Sequence, residues 1–157
     1  MSYTARLTDK KAQDFASKVG DLFTSVPHLP KKWIDFLVKI MPVLALIGGV
    51  LALFGGVASL LSMNPFMVVT ALLMLAMAYV LLMAYKPLQD RRYDGWMLVF
   101  WNHVISAVLT LFQILSSRQG VFGLVWTAIG FYLLFELRSR YGLKGMLEGA
   151  RTRIKAL

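Results

Sequence analysis

The chain has 157 residues, 58% of them apolar, and carries 17 basic against 8 acidic side chains for a formal net charge of +9. It contains no cysteine, which excludes disulfides, thiolate metal sites and dithiol redox chemistry, and with them the quinone-coupled disulfide-forming class of four-helix membrane proteins. Four apolar runs fill residues 40–61, 66–85, 96–115 and 121–137, so one helical domain is expected, with no room for a soluble catalytic domain.

Residues 1–39 form a basic N-terminal segment. The first apolar run follows forty residues that include acidic side chains, which argues against a cleaved signal peptide. Within the segment, Ala12, Phe15, Val19, Leu22, Phe23 and Val26 recur at three- and four-residue steps. That spacing predicts an amphipathic helix over residues 8–26, ended by Pro27 and Pro30. Too polar to span, it is expected to lie at the membrane surface or over the end of the bundle. Trp33 and Lys39 are expected as anchors at headgroup depth.

Three of the four runs are about 20 residues long, enough to cross roughly 30 Å of hydrocarbon. The fourth has 17 residues before Arg138 and needs the flanking segment to complete its crossing. Span one carries Gly48, Gly49, Gly55 and Gly56, and Ala45, Gly49, Ala52, Gly56 and Ser59 make a small-residue seam. Such seams allow close backbone approach, either within the chain or to a partner or acyl chain. Gly123, Thr127 and Gly130 form a counterpart on span four. Between spans one and two, Asn64-Pro65 fits a helix N-cap followed by proline at the first helical position. The methionines of span two read as filler or lipid-facing side chains. The loop of residues 86–95 returns the chain, with Arg91, Arg92 and Trp96 as further interfacial anchors.

Span three holds the main polar feature. Asn102, Ser106, Thr110 and Gln113 share one helix face over about 16 Å, with His103 beside it. Polar groups in hydrocarbon require partners. The stripe therefore reads as interhelical hydrogen bonding or as a polar path or ligand groove, with His103 available for proton exchange. No carboxylate accompanies His103 within the span, and a single membrane-embedded histidine per chain cannot close a metal or haem site. No metal or other cofactor is expected. Glu136, near the end of span four, reads first as an interfacial anchor paired with Arg138, Arg140 or Arg92, and second as a proton-handling residue. Residues 138–157 form a basic tail, with a second interfacial helix expected from Leu143 onward.

Basic residues fix the expected topology. Seven precede span one, three lie in the central loop and six in the tail, whereas the two other loops hold only Arg118. Basic residues near spans stay inside, so both termini and the central loop are expected in the cytoplasm. Because these charges hug the spans, their expected partners are anionic lipid headgroups and not nucleic acid.

The basic loop leading into Gly95-Trp96-Met97-Leu98-Val99-Phe100, together with Gly130-Phe131-Tyr132-Leu133-Leu134-Phe135-Glu136-Leu137-Arg138, resembles small four-span proteins of the bacterial inner membrane. The resemblance covers mainly spans three and four and implies location but no activity. The sequence departs from small multidrug exporters, which use a carboxylate in the first span. Membrane glutathione-metabolising enzymes need charges within their helices, and lipid-headgroup transferases need an aspartate motif; both are missing.

The expectation is an all-α polytopic membrane protein of two hairpins with amphipathic N- and C-terminal interfacial helices. With no nucleophile–base pair or metal constellation, a non-enzymatic accessory module is expected, binding membrane proteins or lipid through its small-residue faces. The alternative is a small oligomeric channel or transporter with a polar path along span three.

Overall fold

In a computed structural model, residues 10–23, 27–62, 64–117 and 121–142 are described. All regular elements among them are helical: α1 (Lys10–Asp21), α2 (Lys31–Leu61), α3 (Pro65–Gln89), α4 (Tyr93–Ser117) and α5 (Val121–Leu137), the last followed by a 3-10 turn, Arg138–Arg140. The expected tail helix, the residues around Arg118 and Val26 lie outside the described residues. Helices α2 to α5 supply four segments long and apolar enough to cross a membrane; the fourth, Phe122–Arg140, includes the 3-10 turn. Together they suggest an integral membrane protein.

Helix α2 starts nine residues before its apolar run, because the Pro30 carbonyl accepts from the amides of Trp33 and Ile34 and nothing up to Lys39 breaks the helix. Asn64 caps α3 as its sequence predicts: its side-chain oxygen accepts from the Phe66 amide at 2.9 Å, and Pro65 occupies the first turn.

Consecutive long helices pack antiparallel. Gly49 faces Leu82 and Gly56 faces Leu75, which aligns α2 with α3. Phe66 meets Phe112 at one end of the α3–α4 pair, and Gly95 lies against Pro87 and Leu88 at the other. Thr110 lies under Gly123, and His103 under Gly130, along α4 and α5. Gly95 is required by close approach: a β-carbon there would sit 2.6 Å from the Leu88 nitrogen and 2.8 Å from the Pro87 carbonyl carbon.

The core lies toward the basic end, the end holding α1 and the α3–α4 turn. Residues 96–100 of α4 are buried on every side, so α4 is the central helix there. Helix α1 and the turn after it close one side: Phe15 packs on Phe100 and Trp101, Ala16 is fully buried, and Phe23 in the turn stacks on Phe135. Elsewhere the long helices turn apolar side chains such as Ile47, Leu51, Phe54, Leu72 and Trp126 outward. A surface of that extent is what hydrocarbon covers.

Candidate functional site

A cavity of about 280 Å³ opens between α2 and α5, on a floor supplied by α3 and α4. Helices α2 and α5 stand at opposite ends of the packing series and meet at few positions, which leaves the space unfilled. Leu37, Met41, Leu44 and Ala45 line one wall, and Gly130, Leu133 and Leu137 the other. Leu81, Val99, Asn102 and His103 form the floor. Leu44 is 49% exposed, so it stands at the mouth. The eight-residue step from Leu37 to Ala45 makes the cavity about 12 Å long.

Its polar groups are two neighbours on α4. Asn102 is only 8% exposed, and its Oδ1 has no hydrogen-bond partner among the described residues. His103 Nδ1 donates to the Val99 carbonyl at 2.9 Å, so neutral imidazole presents Nε2 as an acceptor. Gly130 makes room for that edge of the ring, since a β-carbon there would lie 2.5 Å from Nε2.

The rest of the span-three stripe is divided. Ser106 is half-buried, Thr110 is buried beneath Gly123, and Gln113 is exposed. Of the stripe, only Asn102 and His103 therefore come together at the cavity, joined there by Ala45 and Gly130 of the small-residue seams. Thr127 spends its hydroxyl on the Gly123 carbonyl, and Ser59 on that of Gly55. The glycine seam of span one is occupied by α3: Gly48 and Gly49 lie against Leu81 and Leu82, Gly55 against Met74, Gly56 against Leu75. Ala45 and Ala52 are buried along the same helix.

The expected anchors separate too. Trp33 and Lys39 are exposed, and Arg92 pairs with Asp94 at 2.6 Å. Trp96 is not at the surface, contrary to the expectation. It is fully buried, its Nε1 donates to the Leu134 carbonyl at 2.7 Å, and Arg138 lies over its ring. Its stacking on Tyr93 and Phe100 and its bond to α5 hold the indole inward.

Glu136 finds a partner that its neighbourhood in sequence does not suggest. Its carboxylate accepts from His28 Nδ1 at 2.6 Å and from the Leu29 amide at 3.2 Å. Arg140 reaches Asp35 at 3.1 Å. Tyr132 donates to the Pro27 carbonyl, so α5 holds residues 27–29, just ahead of α2. A second cleft of about 210 Å³ lies beside this grip, with Asp21, His28, Glu136 and Arg138 on its walls. Past the 3-10 turn, Gly142 donates to the Arg91 carbonyl at 2.9 Å. Arg91 and Gly142 both have positive φ, at 51° and 114°. Beside this clasp the buried Tyr141 hydroxyl has no partner among the described residues. Burial pushes its pKa up, against the opposing pull of the Arg91 charge.

The fold and site together define an all-helical integral membrane protein with an apolar cavity between its long helices. No family profile, curated protein or solved structure matches the chain. Among the described residues no group of three or more His, Cys, Asp or Glu side chains is placed to hold a metal.

Proposed function

We propose that this chain is a non-enzymatic accessory protein of the bacterial inner membrane that holds a membrane lipid component in the cleft between α2 and α5. The observation that carries this reading is the cleft itself: an apolar cavity, open at Leu44, in a chain whose small-residue faces are otherwise occupied by its own helices. Pockets for small molecules are mostly apolar with few polar groups, and run from roughly 300 Å³ upward. At about 280 Å³ this one suits a single chain or compact ring, not a whole two-chain phospholipid.

The distribution of basic residues supports cytoplasmic termini and a cytoplasmic α3–α4 turn. In that orientation α1 lies at the inner face as an amphipathic helix, and its exposed Lys11 and Lys18, with Lys31 and Lys32, attract anionic headgroups.

Native mass spectrometry of the protein released from its own membranes tests the reading. The expected result is the chain with one lipid-sized adduct, which disappears when Leu133→Trp fills the cleft while helicity by circular dichroism is unchanged. Absence of an adduct in both proteins overturns the proposal. A homo-oligomer with no adduct, in which cysteines placed at positions 102, 106, 110 and 113 react with water-soluble thiol reagents, establishes the channel reading instead.

A further inference from the structure

We infer that the second cleft, at the basic end of α5, holds the headgroup of one phospholipid that joins a phosphate to an ammonium, with an acyl chain lying along α5 below it. This cleft shares no lining residue with the cavity between α2 and α5, so the site stands apart from that reading.

Its charges come in both signs, and the docking of residues 27–29 onto α5 decides which of them are committed. Glu136 spends one oxygen on His28 and the other on the Leu29 amide. Arg138, two residues further on, is thereby left with no carboxylate partner among the described residues, and its guanidinium lies 5.4 Å from the centre of the Trp96 ring. A ring contact spends none of the guanidinium N–H donors, and their fork fits phosphate oxygens. Asp21, exposed at the end of α1, lines the cleft together with Phe23 and Tyr132. A carboxylate beside aromatic rings suits an ammonium group.

Neither sign alone is served. An anionic group would be drawn to Arg138 but repelled by Asp21 and Glu136, and a lone amine would be drawn to the acids but repelled by Arg138. A zwitterion satisfies both sets.

The surface below the cleft names the carrier of that headgroup. Glu136, Tyr132, Ile129, Val125 and Phe122 recur at steps of four, three, four and three, so they share one face of α5. Beneath Tyr132 that face is apolar and open, with Ile129 41%, Val125 55% and Phe122 82% exposed. From Tyr132 to Phe122 it runs about 15 Å, the depth of one leaflet in a hydrocarbon core of roughly 30 Å. The apolar segment Phe122–Arg140 ends at the cleft, which puts the charges at headgroup level. At about 210 Å³ the cleft takes about seven water-sized shares of roughly 30 Å³, room for a headgroup while its chains lie outside.

The test mixes the purified full chain in detergent micelles with equal amounts of phosphatidylethanolamine and phosphatidylglycerol of matched chains, and reads bound lipid by native mass spectrometry. The ethanolamine lipid is expected to be retained about 5-fold over the glycerol lipid, the ratio for one partly exposed charge contact. Asp21→Asn should bring the two lipids to parity, and Arg138→Gln should lower retention of both several-fold, with helicity by circular dichroism unchanged. O-phosphoethanolamine, the headgroup without chains, should fail to displace the lipid at the same concentration. Leu133→Trp, which fills the other cavity, should leave the preference intact.

Parity in the wild-type protein, or a preference that survives Asp21→Asn, overturns the headgroup assignment. Displacement by O-phosphoethanolamine overturns the lipid as occupant and assigns the cleft to a soluble phosphate ester of an amine. A preference lost in Leu133→Trp but kept in Asp21→Asn and Arg138→Gln overturns this site and leaves the α2–α5 reading standing. If Arg138→Gln loses helicity through its contact with Trp96, the exposed Asp21→Asn decides alone.

Discussion

Replacing Gly95 and Gly55 with alanine, one at a time, should give opposite outcomes, in the reverse order of the distances alone. A β-carbon at Gly55 would come within 2.5 Å of the Met74 methyl, whereas one at Gly95 would meet the Leu88 nitrogen at 2.6 Å. The Met74 terminus is the free end of an unbranched side chain and swings aside at little cost. Alanine also favours a helix interior over glycine by about 0.5–1 kcal/mol. Gly55→Ala is therefore expected to be neutral or stabilising by a few tenths of a kcal/mol. At Gly95 the obstacle is the last turn of α3, held by the bonds from Asp90 to Lys86 and from Arg92 to Pro87. It cannot rotate away, so α3 and α4 must separate at the most buried part of the core, an overpacking cost of about 2–3 kcal/mol. The assay is reversible unfolding in mixed micelles followed by circular dichroism, both variants against wild type. Equal destabilisation, or a larger loss for Gly55→Ala, refutes the claim that α3 and α4 are locked by backbone contact at Gly95.

Tyr141 has a folded-state pKa raised by burial, so it contributes stability that is complete below the free tyrosine value of about 10 and is lost as pH rises through the folded value. Tyr141→Phe should match or exceed wild-type stability by about 1 kcal/mol at pH 8, since it also removes an unpartnered hydroxyl, and should shrink the loss seen at pH 10.5. Thermal midpoints of both proteins at the two pH values check this; a parallel alkaline loss in both would contradict it. Glu136→Ala should free the residue 27–30 connection. His28 is 78% exposed, so its contact is worth little, and the loss of about 1 kcal/mol comes chiefly from the Leu29 amide. The readout is trypsin cleavage at Lys31 and Lys32, expected to quicken several-fold, with unchanged rates counting against the grip.

Element identity was legible because hydropathy over 20 residues reports length and apolarity directly, and Asn64-Pro65 carries its cap in two adjacent side chains. Orientation within the bundle was not. A helix apolar all round gives no periodic mark of its packed face, so nothing near Trp96 distinguishes a core indole from an interfacial one. On α1 the expected face omitted Ala16, because closest approach favours a small side chain that hydropathy weighs lightly. Glu136 was legible as a charge needing a partner; that the partner lies 108 positions earlier is a property of the fold. The polar stripe had the same limit. Four residues on one helix face share a direction, yet Asn102 meets a cavity while Thr110 meets a glycine, because α2 and α5 touch at few positions whereas α4 packs against α5 at both Gly123 and Gly130.

The enclosure of α4 also sets an order of assembly on the ribosome. Phe15 docks on Trp101, made 86 residues later, so at roughly 5–20 residues per second α1 waits several seconds for its binding surface to be synthesised. The grip of Tyr132 and Glu136 on residues 27–29 forms later still. Residues 27–29 are thus held in place only after the four long helices that follow them have been made, by side chains of α5.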